Sequence, residues 1–189
     1  MGKSKESDLR YVKTEELIRN IFEQMLLEKE YSQITVKELT ERARINRKTF
    51  YAHHVTLDEL LLTLQGEMAA SFEERLQGLV LPDDLGIVVE TVFECAEGNG
   101  ELGERILCAK SQGDGIAIGR DCLSLGEWLP QIKGVAPGSV EDDWVRAYLS
   151  LAIIGLYGKW VGDGRSMSAD RAMNMVTQLA KNGLGDFFG

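Results

Sequence analysis

Residues 34–61, ITVKELTERARINRKTFYAHHVTLDELL, contain three helix-start signals about ten residues apart. Thr35 opens the first, and Glu38 follows it at the spacing of a capping box, in which the threonine side chain caps the first turn. The pattern predicts a helix that begins at Val36. This helix can run only to about Arg44, because the next start signal follows directly.

Asn46 is the second signal, because asparagine is a preferred N-cap residue, and a short helix over about 47–53 is expected after it. Thr56 and Glu59 repeat the capping-box spacing and predict a longer helix that continues to about Leu79. Two short helices joined by a tight turn form a helix-turn-helix, although this turn lacks the glycine that often occurs there.

The remaining chain also shows helical rather than alternating periodicity. We therefore predict an all-α fold. Residues 1–54 are expected to form a three-helix N-terminal domain that contains the helix-turn-helix, and residues 55–189 a larger helical domain. The apolar segments with helical spacing lie at 14–28, 85–96, 102–110, 116–132, 141–161 and 168–182.

Charge separates these two parts of the chain. The whole chain has a formal net charge of −9, but residues 1–54 carry a net of +2 and residues 55–189 a net of −11. A local basic face suffices for nucleic-acid binding, because phosphate contacts are short-ranged in salt. Arg47, Lys48 and Thr49 fall at the exposed start of the second short helix, where a recognition helix presents its base-reading residues to the major groove.

The stretch from Thr35 to Leu61 resembles the helix-turn-helix of the TetR family of transcriptional regulators. The resemblance covers about residues 12–62 and rests on the threonine that opens the second helix, the alanine seven residues after Val36, the T-F-Y triplet and the leucines of the fourth helix. It implies a homodimer of all-helical subunits, each with an N-terminal DNA-binding domain and a C-terminal domain that binds a ligand and forms the dimer. Such a dimer would meet the two half-sites of a palindromic operator in double-stranded DNA.

The resemblance also implies roles for single residues. Phosphate contacts fall on Thr35 and Tyr51, and the base-reading segment falls on residues 46–49. Leu57 occupies a position where the family often carries a phosphate-binding lysine, so Leu57→Lys is expected to add a phosphate contact. The predicted DNA-binding residues are Thr35, Lys37, Arg44, Asn46, Arg47, Lys48, Thr49, Tyr51 and His53.

The segment 141–161 is apolar on nearly all sides. A helix of that kind must be covered all round, so one side is expected to pack within the subunit and the other against a second copy, together with the helix predicted over 168–182. A helix fully buried within one subunit is the alternative. The predicted dimer-interface residues are Ala147, Leu151, Ile154, Gly155, Gly158, Met175 and Leu179.

An effector pocket is expected between the helices of residues 85–132 and the long helices. Each candidate lining residue could instead be an ordinary core residue. The sequence identifies no ligand, and the scarcity of basic residues in this region argues against a polyanionic one. The candidate lining residues are Met68, Phe72, Phe93, Cys95, Leu107, Trp128 and Tyr148.

Other kinds of chemistry find little support. Both histidines, His53 and His54, lie in the N-terminal part, so neither histidine catalysis nor a histidine-assisted cysteine is available to the larger domain. Adjacent helix residues also point too far apart to chelate one metal ion together. The glycine-rich stretch 113–119 lacks the preceding strand and the terminal lysine of a phosphate loop. We therefore expect no enzyme, no cofactor and no metal site.

The sequence thus predicts a dimeric DNA-binding regulator, a repressor that an unknown small-molecule effector releases from DNA. The alternative is a TetR-like co-regulator that has lost DNA binding and acts through protein–protein contacts. The chain has no signal-peptide pattern at its start and no apolar run of about 18 residues. Its three cysteines lie in helical patterns, which fits reduced thiols and a cytoplasmic location.

Overall fold

The computed structural model describes the backbone of residues 2–70, 73–109 and 128–183, and the side chains from Leu9 onward in these ranges. Most of the described residues are helical, which confirms the predicted all-α fold. None of the described helices is long and apolar enough to cross a membrane. The elements are α1 (Gly2–Glu28), a 3-10 turn (Tyr31–Gln33), α2 (Val36–Arg42), α3 (Arg47–His53), α4 (Leu57–Ala70), α5 (Glu73–Leu76), β1 (Val80–Leu81), α6 (Leu85–Gly98), α7 (Gly100–Cys108), β2 (Gln131–Ile132), α8 (Val140–Gly162) and α9 (Ala169–Gly183).

A two-residue parallel ladder between β1 and β2 differs from the prediction. The segment 116–132 is expected to be helical, but its described end leaves the helical conformation before Pro130 and continues into β2. Proline disfavours helical backbone in the residue before it and offers no N–H to a helix. The rest of that segment, with the glycine-rich stretch 113–119, lies outside the described residues.

A first cluster of buried apolar side chains lies under the helix-turn-helix and joins α1, α2, α3 and α4. Fully burying a leucine or phenylalanine side chain stabilises the fold by about 1.5–3 kcal/mol. Because four leucines of α4 belong to this cluster, the first core extends past residue 54, where the predicted N-terminal domain ends. Its members are Ile18, Phe22, Met25, Leu26, Tyr31, Ile34, Leu39, Phe50, Leu57, Leu60, Leu61, Leu64 and Ile106.

A second cluster lies mainly between α6, α8 and α9. Phe93 on α6 packs edge-to-face against Tyr157 on α8, with 4.7 Å between ring centroids. Such aromatic pairs add about 0.5–1.5 kcal/mol to the gain from burial alone. Trp160 closes the end of this core, where its indole Nε1 donates a hydrogen bond to Met167 O at 2.9 Å. Large rings therefore fill the centre of the larger half.

Helix α7 belongs to both clusters. Ile106 is buried in the first core, and the next residue, Leu107, is buried in the second. Gln65 on α4 donates a buried hydrogen bond from Nε2 to Ile106 O at 2.9 Å. Because α7 also packs against α1, a displacement of α7 would be transmitted to the helices that support the helix-turn-helix.

Candidate DNA-binding surface

Thr35 fixes the start of α2. Its Oγ1 accepts a hydrogen bond from Glu38 N at 3.2 Å, and the helix begins at Val36 as predicted. The Glu38 carboxylate is turned toward Lys29 and Arg42 instead of back toward Thr35, so only half of the capping box forms. The hydrogen bond from Lys29 lowers the pKa of Glu38. Thr35 is left exposed at the N-terminus of α2.

The turn between α2 and α3 is a Schellman motif built without glycine. Ile45 N donates to Thr40 O at 3.0 Å and Arg44 N donates to Glu41 O at 3.2 Å, the two bonds that define this helix end. Arg44 occupies the position that usually carries glycine, with φ at +54°. The left-handed conformation costs a non-glycine residue about 1 kcal/mol, so the turn forms without glycine but its backbone is strained at Arg44.

We expect Arg44→Gly to raise the free energy of unfolding by about 0.5–1 kcal/mol, because relief of the strain exceeds the backbone entropy that glycine adds to the unfolded chain. Urea denaturation at constant ionic strength measures the difference. Arg44→Ala is the matched control, since it removes the same side chain and keeps the strain. Equal stability of the glycine and alanine variants would contradict the prediction.

Asn46 caps α3 as predicted. Its Oδ1 accepts hydrogen bonds from Thr49 N at 2.7 Å and from Thr49 Oγ1 at 3.0 Å. The helix spans Arg47–His53, and Phe50 on its inner face is fully buried in the first core. Tyr51, the next residue, lies on the flank of the helix and is exposed.

Four exposed cations of α2, the turn and α3 have no acidic partner among the described side chains. Arg47 and Lys48 at the start of α3, Lys37 on α2 and Arg44 in the turn are exposed, and none of them forms an ion pair with a residue whose side chain is described. By contrast, Arg42 at the end of α2 pairs with two glutamates. Elsewhere among the described side chains, the cations without an ion pair are Arg10, Lys13, Arg171 and Lys181.

His53 lies away from this surface, between α3 and α1. Its Nδ1 is 2.7 Å from Glu15 Oε2, and its ring stacks on Tyr11 with 4.0 Å between centroids. Glu15 Oε1 is also 2.8 Å from His54 Nε2, without hydrogen-bond geometry. The His53 side chain is thus buried between α3 and α1, which is a packing role, and it is not exposed with the other residues predicted to bind DNA. Among the described residues, no group of His, Cys, Asp or Glu side chains could hold a metal ion.

Leu57 also departs from its predicted role. Its side chain is buried in the first core and forms one stripe of α4 with Leu60, Leu61 and Leu64. The expectation that Leu57→Lys adds a phosphate contact is therefore wrong, because this position faces the core. The spacing of the four leucines is the sequence signal that identifies the buried face of α4.

Large apolar side chains are exposed along one side of α8 and α9. Trp144 is 76% exposed, and Leu151, Met175 and Leu179 are also exposed. Leu151, Met175 and Leu179 are among the residues predicted for a dimer interface. We call these four residues the apolar face.

The other residues predicted for the dimer interface lie in different surroundings. Gly155 is exposed, and Ala147 and Ile154 are half-buried. Gly158 faces α7 within the subunit, because a Cβ atom built on it would lie 3.3 Å from Cys108 Sγ. Gly158 therefore allows close contact between α8 and α7 and lies apart from the apolar face.

The residues predicted to line an effector pocket are dispersed. Phe93 and Leu107 are buried within the second core, and Met68, Cys95 and Trp128 pack at its edge. Tyr148 is exposed on α8, where its hydroxyl donates to Leu179 O at 3.5 Å. Phe72 lies outside the described residues. Trp128 borders a cavity of about 440 Å³ at the ends of α4 and α5.

Comparison with known proteins relates this geometry to transcriptional regulators. No family model matches the chain. The chain is similar to YxbF, an HTH-type transcriptional regulator of Bacillus subtilis (strain 168), with 33% identity over 86 residues, which are 45% of this chain. The match covers 23% of that relative, so the chain spans about a quarter of its length. Its structure is similar to that of a TetR transcriptional regulator from Streptococcus agalactiae 2603V, with a TM-score of 0.55 and 19% identity, covering 94% of this chain and 98% of that one. The chain therefore has the fold of the TetR transcriptional regulators, as the resemblance of residues 35–61 indicates.

Proposed function

We propose that this chain is a DNA-binding transcriptional regulator of the TetR type. The observation that carries the proposal is the group of exposed cations on α2, the turn and α3 that form no ion pair with a described side chain, namely Lys37, Arg44, Arg47 and Lys48. In a chain of net charge −9, such a group concentrates the attraction for a polyanion on one face. The similarity to an HTH-type regulator and the TetR fold support the same conclusion.

Base reading falls on Arg47 and Lys48. The Thr49 hydroxyl donates a hydrogen bond to the side-chain carbonyl of Asn46 in the cap of α3, so these two groups already have partners. Arginine and lysine donate to guanine O6 and N7 in the major groove, and a helix enters that groove with its N-terminal residues. Thr35 and Tyr51 are exposed and can donate to phosphate oxygens on either side.

Selection from a random pool of double-stranded DNA tests this function. The expected result is an enriched inverted repeat of two half-sites, whose affinity falls as salt rises because phosphate contacts release counterions. No enrichment by a folded, fully helical sample would reject the DNA-binding proposal. That result would favour the co-regulator that acts through protein–protein contacts.

We further propose a homodimer formed by the apolar face. Four large exposed apolar side chains on two adjacent helices are typical of a surface that another protein covers. A two-fold dimer meets its own face, so the same side chains pack from both subunits. This arrangement would also give the two α3 helices the two-fold symmetry of an inverted repeat.

Leu151→Glu is expected to weaken the dimer at least about tenfold, because two carboxylates would lose water at the centre of the interface. Analytical ultracentrifugation over a concentration series measures the change. Leu27→Glu is the matched control, since Leu27 on α1 is 41% exposed and Leu151 is 42% exposed. A Leu151→Glu variant that dimerises like the control would reject the apolar face as the interface.

The regulation that we propose is repression relieved by a small molecule. A ligand that binds one conformation better than the other shifts the population toward it, with a coupling of about 1–3 kcal/mol in typical cases. Helix α7 offers the route, because Ile106 packs under the helix-turn-helix while Leu107 packs in the larger half. A shift of α7 would change the separation of the two α3 helices and weaken their grip on DNA.

A further inference from the structure

A cavity of about 630 Å³ opens where the end of α1, helix α7 and the end of α8 meet. Its volume falls within the range of small-molecule sites. Apolar groups of Leu26, Ala109 and Val161 line part of it, and charged side chains, including Arg105 and Glu30, line the rest. None of the described residues predicted to line an effector pocket borders this cavity.

Arg105 on α7 is held loosely. Its guanidinium contacts Glu30 at 3.2 Å and Glu101 at 3.3 Å, each through one nitrogen. The Arg105 side chain is 33% exposed, whereas those of Glu30 and Glu101 are 78% and 65% exposed. Ion pairs with such exposed partners contribute little to stability. A half-buried guanidinium therefore borders the cavity with partners that a competing anion can displace.

The start of α7 adds to the preference for an anion. Gly100, its first residue, borders the cavity. Asn99 precedes it, but the Asn99 side chain donates to Cys95 O and makes no capping bond. The positive end of the α7 dipole therefore adjoins the cavity and stabilises a negative group placed there.

We propose that this cavity binds a small carboxylic acid with an apolar body, and that the ligand carboxylate replaces Glu30 as the partner of Arg105. A free carboxylate can accept both parallel N–H groups of a guanidinium, whereas Glu30 makes a single contact. The apolar body would cover Ala109 and Val161, which are half-buried, and so remove apolar surface from water.

The exchange would change how the two halves of the chain hold each other. Glu30 follows α1, next to the helix-turn-helix, whereas Arg105 belongs to α7. Ligand binding would remove this ion pair between α7 and the segment that follows α1, whereas the packing of α7 against α1 would remain. The regulatory consequence rests on the proposed function, whereas the binding itself does not.

Calorimetric titration of the full chain, with no DNA present, tests the binding. The probes are octanoate and 4-phenylbutyrate, each compared with the primary amide and the primary amine of the same skeleton. At least one carboxylate is expected to bind with 1:1 stoichiometry per subunit, and its amide and amine are not. Arg105→Gln is expected to weaken that binding at least about tenfold, because a charge-assisted bond is lost. Glu30→Gln is expected to tighten it about threefold, because the competing carboxylate is gone.

Arg75→Gln is the matched control, because Arg75 pairs with exposed Glu94 between α5 and α6, away from the cavity. Its affinity should equal that of the unsubstituted chain. No carboxylate binding, equal binding of the amides, or a Glu30→Gln variant that binds no tighter would overturn the proposal. The Glu30 side chain is exposed, so the Glu30→Gln variant is expected to fold even if the Arg105→Gln variant does not. The titration contains no DNA, so a negative result there does not bear on the DNA-binding proposal. A negative result of the DNA selection likewise does not bear on carboxylate binding.

Discussion

Replacing both Arg47 and Lys48 by alanine is expected to weaken binding to the selected DNA at least about a hundredfold and to leave the thermal unfolding midpoint unchanged. One contact to a base edge is worth about 1–3 kcal/mol, and about 2.7 kcal/mol corresponds to a hundredfold change in affinity. Both side chains are exposed and make no ion pair with a described residue, so their loss removes no contact that holds the fold.

Fluorescence anisotropy with labelled DNA at fixed salt measures this change. The double variant Arg171→Ala with Lys181→Ala is the control, because these α9 cations are also exposed and unpaired in the described chain, and their removal changes the net charge equally. An equal loss in both double variants would mean that net charge alone governs the affinity. In that case α3 would not be the reading helix.

Asp142→Ala is expected to lower the free energy of unfolding by about 3 kcal/mol, because it removes a buried carboxylate together with the hydrogen bonds that it accepts from Arg146 and from the backbone. The Asp142 side chain is buried at the start of α8, where Oδ1 accepts from Arg146 Nε at 2.9 Å and Oδ2 accepts from Gly138 N at 3.0 Å. Arg146 in turn donates from Nη1 to Leu129 O at 2.7 Å. The carboxylate thus ties α8 to the loop that leads away from β2.

Urea denaturation measures the loss, and Asp163→Ala is its control. Asp163 pairs with Lys159 at 2.8 Å on the surface, and such exposed pairs contribute only about 0.3–0.5 kcal/mol. Equal destabilisation by the two substitutions would contradict the buried network around Asp142. The prediction applies to the folded subunit and does not depend on DNA.

The pH dependence of the free energy of unfolding gives a second test of the role of the Asp142 carboxylate. Burial alone would raise the pKa of Asp142, but the Gly138 N–H and Arg146 outweigh it, and the pKa is lowered. A group with a lowered folded-state pKa stabilises the fold above its unfolded-state value, and this contribution is lost as pH falls through the lowered value. Below about the ordinary aspartate pKa of 3.8, Asp142→Ala should therefore lose less stability on acidification than the unsubstituted chain.

Local signals predicted the helix starts well. Thr35, Asn46 and Thr56 each cap the helix that begins one residue later, because a cap involves only side chains and backbone groups within three residues. The two-residue strand pair left no such signal, since two residues are too few to show alternation.

Contacts between distant segments could not be predicted in this way. Glu15 binds His53 from 38 residues away, and nothing near either residue indicates that α1 crosses the end of α3. Gly158 illustrates the same limit, because its spacing suits a helix interface but does not say which helix approaches it. The dimer face and the pocket depend on such packing and stay predictions.

Helix α7 limits how this protein can be divided or recombined. A fragment cut after His54 would lack the leucines of α4 and the side chain of Ile106, all of which complete the hydrophobic centre beneath the helix-turn-helix. Such a fragment would expose apolar surface and could not serve as an interchangeable module. Chimeras between regulators with this fold would have to exchange α4 and α7 together with the helix-turn-helix, so the unit that can be exchanged is larger than the motif.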